Sequence, residues 1–281
     1  MKKKPTFIRW GLLTFAATAV LAACGSAEAT DEEVASSNSD AETVVVGTGN
    51  GYQPFVYLDE NGELTGYDVA VLEAIDEKLD DYSFEYESSD FKNILTSLSA
   101  GKIDLAAHQY EYNDERAEKY LYGEVGYTDY TLYIVNIAGD EQYATLDDLQ
   151  GKKVFASPGS NVAYLLEQYN SEHENADEQI SIIYNEGANE IFISGLQNGT
   201  ADAGILTKYD TNKYNKQFDA NLEIASEPIS VSKTYFLYDK ADEELKEAVD
   251  GALQELIDAG TLAELSVEYL GDDYTKLKMK W

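Results

Sequence analysis

The sequence predicts an α/β protein built as two similar lobes. Three observations carry this. β-Rich runs alternate with helical patterns from Thr43 onward, a short segment recurs in the second half, and two extended segments fall between the halves. The 281 residues are 44% hydrophobic, which allows one large domain or two ordinary ones and rules out disorder and collagen-like repeats.

Thr43 to Thr48 reads as the first strand. The helix after it runs from Asp68 to Leu79, because Val69, Leu72, Ile75 and Leu79 keep helical spacing and Asp68 is suited to cap the first free N–H groups. Tyr82, Phe84 and Tyr86 alternate as a strand, Phe91 to Ala100 is helical, and Ile103 to Ala106 is extended. Leu98-Ser99-Ala100-Gly101-Lys102-Ile103-Asp104 is paralleled by Leu196-Gln197-Asn198-Gly199-Thr200-Ala201-Asp202. Each reads as helix, glycine stop, strand, and a helix C-terminus is reason enough for Gly101 and Gly199. Tyr130 to Asn136 is a crossover out of the first half, and Ser232 to Tyr238 is the return, which makes a two-strand hinge. Strand Lys153 to Ala156 leads through Gly159-Ser160-Asn161 into a helix ending at Tyr169. Asp242 to Ile257 carries Leu245, Ala248, Val249, Ala252 and Leu256 on one face, and Thr261 to Glu264 fits a capping box for a last helix.

The N-terminus reads differently. Lys2, Lys3, Lys4 and Arg9 precede an apolar stretch from Trp10 to Leu21, too short for the roughly 20 residues of a membrane span. Residues 1–23 therefore read as a secretory signal. It ends in Leu21-Ala22-Ala23-Cys24, which resembles the lipobox of bacterial lipoproteins and contains the single cysteine of the chain. Cys24 becomes the lipidated first residue outside the cytoplasm, and residues 24–42 form the anchor and a polar, acidic tether. Lobe 1 is expected over residues 43–130 plus 232–281, and lobe 2 over 131–231.

Composition excludes several functions. Lys and Arg number 20 against 53 Asp and Glu, a formal charge of -33, which is unsuited to a nucleic-acid backbone. Without the four basic residues of the signal, 16 basic residues face 53 acidic ones, a charge of -37. One cysteine and two histidines leave too few soft ligands for a zinc site, and no metal or cofactor is expected. Gly47-Thr48-Gly49-Asn50-Gly51-Tyr52 lacks the last glycine of a dinucleotide loop, and Ser230 to Lys233 has S-x-x-K spacing without its companion motifs.

Arg116 is the only arginine after the signal. A guanidinium holds a carboxylate through two parallel hydrogen bonds, so Arg116 is a candidate anion clamp; a surface pair with Asp114 or Glu115 is equally open. Ser160 and Asn161 open a helix whose free N–H groups could face an anion or simply be capped.

Tyr52-Gln53-Pro54-Phe55, Gly66-Tyr67-Asp68-Val69, Leu98 through Asp104, Asp114-Glu115-Arg116, Asp147 through Val154, Gly159-Ser160 and Gly199 through Ala203 together resemble the polar amino-acid-binding family of solute-binding proteins of ABC importers. The resemblance covers nearly all of residues 43 to 271. It implies a two-lobed, periplasmic-binding-protein-like (Venus flytrap) fold closing on a free amino acid. It also implies an ABC permease with its cytoplasmic ATPase as partner, a monomer, and no catalysis. By position, Arg116 takes the α-carboxylate, Tyr52 and Phe91 are aromatic walls, His108 and Gln109 are strand-end polar contacts, and Ser160 and Asn161 are the second lobe's contribution. Two departures stand out. Where the family often has an aspartate for the ligand ammonium this chain has Thr207, with Asp210 three residues on, and Glu111 replaces a common small hydroxyl residue. Either carboxylate could supply the counter-charge. Ala106 to Gln109 with Lys233 to Phe236 is most similar to the cystine-binding branch, and the lipobox and scarce arginine suggest a Gram-positive surface. Two alternatives stay open: a lyase or dehydratase on the same fold using Glu111 or His108, and a surface adhesin using some of the 22 tyrosines.

Overall fold

The computed structural model describes residues 41–185 and 189–276. The expected signal, Cys24 and nearly all of the tether lie outside them. Strand β1 (Glu42–Thr48) leads through a small meander, β2 (Gly51–Tyr52), β3 (Val56–Leu58) and β4 (Leu64–Thr65), into helix α1 (Tyr67–Asp76). Then come β5 (Tyr82–Ser88), α2 (Phe91–Ser99), β6 (Leu105–Glu111), α3 (Asp114–Lys119), β7 (Leu121–Tyr122) and β8 (Thr128–Asp129). The second half runs through β9 (Leu132–Ile137), β10 (Lys153–Ala156), α4 (Asn161–Ser171), β11 (Ser181–Tyr184), α5 (Asn189–Gln197), β12 (Gly204–Thr207), α6 (Lys208–Phe218) and β13 (Leu222–Ile224). The chain returns in β14 (Lys233–Tyr238) and ends in α7 (Glu243–Ala259) and α8 (Thr261–Leu270).

The first sheet has the order β5-β1-β6-β14-β7, with β8 also on β14; β1 is parallel to β5 and β6, and β14 is antiparallel. In the second, β10 pairs with β11 in parallel, β9 lies between β12 and β13, and a Val154–Ala203 bridge joins the two pieces. Its order is therefore β11-β10-β12-β9-β13, the same pattern as the first. The repeat seen in the sequence has a structural counterpart. Asp104 accepts from Val45 N at 2.7 Å and donates its own N–H to Val45 O at 2.8 Å; Asp202 does the same with Lys153 at the same two distances. Gly101 and Gly199 sit at φ +62° and +75°, as helix-ending glycines do.

Each sheet is covered on both faces. Val44, Val46, Leu72, Leu105, Phe236, Val249 and Leu253 form one core of the first sheet, and Ile94, Leu98, Ile103 and Ala106 form the other. In the second, Ile134, Val154, Leu166 and Ala203 lie on one side and Phe155, Ile193, Leu196 and Leu222 on the other. Fully burying one of these Val, Leu, Ile or Phe side chains contributes about 1.5–3 kcal/mol. Between the sheets the two connections run antiparallel side by side, with Tyr130 N to Ser232 O and Leu132 N to Ser230 O both 2.9 Å.

Two local readings are corrected. Helix α1 is capped by Gly66, at φ 124° with its neighbours' carbonyls too close for a side chain, while Asp68 is fully buried and bonded elsewhere. The last helix has Gly260 before it and no side-chain cap, so Thr261 and Glu264 form no capping box. The glycines of Gly47-Thr48-Gly49 serve packing: a Cβ would lie 2.0 Å from Ile103 at Gly47 and 2.3 Å from the His108 ring at Gly49.

Candidate functional site

A cavity of about 520 Å³ lies between the two sheets. Nine of the residues singled out in the sequence line it: Tyr52, Phe91, His108, Gln109, Glu111, Arg116, Ser160, Asn161 and Asp210. Thr207 does not. It lines a neighbouring cavity and its hydroxyl donates to Asp210 at 2.8 Å.

Arg116 belongs to α3, which begins because the Asn113 side chain accepts from Arg116 N at 2.8 Å. The residue is 7% exposed. Its guanidinium donates to Glu111 O at 3.1 Å and to Gly159 O at 2.6 Å, and it stacks 5.2 Å from the Tyr110 ring centre. These contacts fix its plane and leave further N–H donors of the five it carries. The neighbouring acids have other partners: Glu115 accepts from Lys119 and Asp114 from Tyr112. The surface-pair reading of Arg116 is therefore set aside.

From Arg116 a run of rings crosses the first-sheet wall. Phe91 stacks on Tyr110 at 5.8 Å and meets His108 at 5.2 Å, and His108 meets Tyr52 at 5.6 Å. Burial pushes the His108 imidazole down to about 4, so it stands neutral, with Nδ1 buried and without a hydrogen-bond partner among the described residues. Gln109 lines the cavity, and its side-chain amide nitrogen is committed to Asp68 and reaches Thr128 Oγ1 at 3.4 Å.

The second sheet contributes helix starts. Ser160 caps α4 by accepting from Ala163 N at 3.1 Å, and Asn161 accepts from Asn113 Nδ2 at 3.0 Å across the cavity. Thr207 caps α6 by accepting from Asp210 N at 3.0 Å. Asp210 is 5% exposed; its Oδ2 also accepts from Tyr52 OH at 3.5 Å and its Oδ1 has no partner. Burial raises the Asp210 carboxyl, against the pull of Thr207 and Lys213. Lys213 itself donates to Gln53 O. Burial likewise pushes Glu111 up to about 7, opposed by Arg116. Between the two carboxylates stands Tyr130, whose hydroxyl lies 3.4 Å from that of Tyr52 and feels both charges.

The sequence reading missed the aromatic wall of the second half, Phe155, Phe192 and Tyr214, and the polar Asn189 beside it. Asn189 begins α5 as Phe91 begins α2, at the spacing of the repeat, so carrying that repeat back to the helix start would have found it.

This arrangement, one arginine and two buried carboxylates among aromatic rings, suits a small zwitterion. Known proteins agree. The chain is 36% identical to the L-cystine-binding protein TcyK of Bacillus subtilis over 277 residues, 98% of this chain and 99% of that one. It is 37% identical to the L-cystine-binding protein TcyJ of Bacillus subtilis over 237 residues, 84% and 87% of the two chains. Among solved structures it matches one from work on glutathione import via GshT and the cystine ABC importer TcyBC of Streptococcus mutans. The TM-score there is 0.75 at 26% identity, covering 85% and 98%. The enzyme alternative finds no support among these matches. Residues 44–272 match a family model, and the chain belongs to the bacterial extracellular solute-binding proteins, family 3.

Proposed function

We propose that this protein captures L-cystine between its two lobes, residues 43–130 with 232–281 and residues 131–231, and delivers it to an ABC permease coupled to a cytoplasmic ATPase. It works as a monomer, held to the outer face of a Gram-positive membrane through a lipid on Cys24. The observation that carries the reading is the meeting of Arg116 and Asp210 in one cavity from opposite sheets. Arg116 takes an α-carboxylate, and Asp210 takes an ammonium on its free Oδ1, since a buried ammonium without a counter-charge would cost several kcal/mol. Tyr52, Phe91 and His108 flank the ligand, and Glu111 offers a second anionic point, which a molecule with two amino-acid ends can use. Ligand touching both lobes favours the closed arrangement, because only there are both sets of contacts made. Cystine-binding relatives support this choice of ligand.

Calorimetric titration with L-cystine is expected to give 1:1 binding and a rise in melting temperature, about 2.7 kcal/mol of stabilisation at a hundredfold excess over Kd. No heat and no thermal shift with L-cystine or other amino acids would sink the reading. The anchor is tested separately: Cys24→Ala should release the protein from the membrane fraction.

A further inference from the structure

Asp68 lies outside the cavity, yet the structure links it to the cavity wall. It is the second residue of α1, fully buried, and its Oδ1 accepts from the Gln109 side-chain amide. Gln109 is itself 3% exposed and sits at φ +52°, in the left-handed region that a residue with a side chain rarely enters inside a strand. The ladder between β6 and β14 breaks there. Tyr110 pairs with Tyr235 and Ala106 with Leu237, so three residues of β6 span what one residue of β14 spans. Such a bulge re-aims side chains. The one re-aimed here is His108, whose ring sits against Phe91 and Tyr52 and so close over Gly49 that a Cβ there would clash.

We infer that Asp68 is a positioning residue: by holding the Gln109 amide it keeps the backbone at 109 left-handed and turns His108 into the ligand cavity. A left-handed glutamine needs such a hold, because its backbone alone prefers the extended form of its strand neighbours. The inference rests on the cavity being the ligand site only for its effect on binding; the effect on His108 is independent of any ligand.

The test therefore reads both. The chain has two histidines, so the His108 imidazole resonances can be assigned in the full-length protein with a His173→Gln control. In ligand-free protein, Asp68→Ala is expected to move the His108 resonances as the ring leaves the fields of Tyr52 and Phe91, and to weaken L-cystine binding by about tenfold. Glycine enters the left-handed region freely. In the Gln109→Gly background, the same Asp68→Ala change should then leave His108 unmoved. Unshifted His108 resonances in Asp68→Ala, or an undiminished shift in the Gln109→Gly background, would overturn the inference. If Asp68→Ala does not fold, Gln109→Ala and Gln109→Gly decide it, since only the alanine variant should move His108; equal effects of the two overturn it. Should wild-type protein bind no L-cystine while His108 follows this pattern, the ligand reading falls and the positioning role stands.

Discussion

The two halves of the molecule share a strand order and differ in one charged residue at an equivalent place. In the first sheet the third parallel strand, β6, leads to α3, whose cap is Asn113 and whose third residue is Arg116. In the second sheet the third parallel strand, β12, leads to α6, whose cap is Thr207 and whose third residue is Asp210. Both are buried and both face the same cavity. A repeated scaffold thus offers two matching positions on opposite walls, and the sequence places a cation at one and an anion at the other. The capping hydrogen bond orients each, because an Asn or Thr that accepts from the third residue's N–H holds that residue's backbone in place. For the proposed ligand this means that the two charges of an α-amino acid are read by corresponding parts of the two lobes.

The sharpest way to break the comparison is to remove one charge at a time. Arg116→Ala should abolish measurable L-cystine binding, a loss of at least about 3 kcal/mol, and Arg116→Lys should rescue little of it because an ammonium lacks the planar fork. Asp210→Asn should weaken binding by about 2 kcal/mol while α6 stays capped by Thr207. Calorimetry on the two variants checks both. Equal binding by wild type and Asp210→Asn would move the ammonium to Glu111.

Glu111 gives a pH signature on the first-sheet side. Burial pushes its carboxyl up to about 7 in the folded protein, against an ordinary value of 4.5. The folded state therefore keeps a proton that the unfolded state has lost between about pH 4.5 and 7. The contribution of Glu111 to stability falls as pH rises through that window and is level above it. Glu111→Gln removes the titration. Its stability relative to wild type should climb by up to about 3 kcal/mol from pH 4.5 to 7, read by urea unfolding. Asp68, pushed up to about 7 by burial, titrates in the same sense in both proteins and cancels from the difference.

Much of this was legible in the sequence where the signal was periodic or local. The strand and helix alternation, the crossovers and Ser160 as a helix cap follow from hydrophobic spacing and cap chemistry. The joint at Gly101 and Gly199 was readable as well, and the structure adds why both are followed by aspartate: each carboxylate ties its sheet's first parallel strand to the third. What was not legible depends on distant pairs. Asp68 looks like a helix cap from its neighbours, and only the approach of β6 makes it a buried partner of Gln109. Phe192 and Tyr214 look like core residues on their helices, and only the facing sheet makes them a cavity wall. Arg116 was equally readable as a surface pair until its neighbours' partners were known.

The repeated aspartates test whether equal geometry means equal energy. Asp104 and Asp202 make the same pair of bonds at the same lengths, but the Asp104 bond is partly buried and the Asp202 bond is exposed. Water replaces a lost exposed bond more readily, so Asp104→Ala should cost about 1.5 kcal/mol and Asp202→Ala about 0.5. Urea unfolding of the two variants measures this, and equal losses would show that geometry alone sets the cost.

The smallest expected effect is the control for Arg116. Glu115 pairs with Lys119 at 2.8 Å, both side chains more than half exposed, four residues apart on α3. An exposed pair of this kind contributes only a small increment to the helix, and it lies outside the lining of the cavity. Glu115→Gln should therefore lower stability by no more than that and leave the L-cystine affinity unchanged. A clear loss of affinity would mean that the guanidinium next to it depends on the Glu115 charge, and that the first lobe's clamp is set by its helix surface as well as by Asn113 and the carbonyls of Glu111 and Gly159.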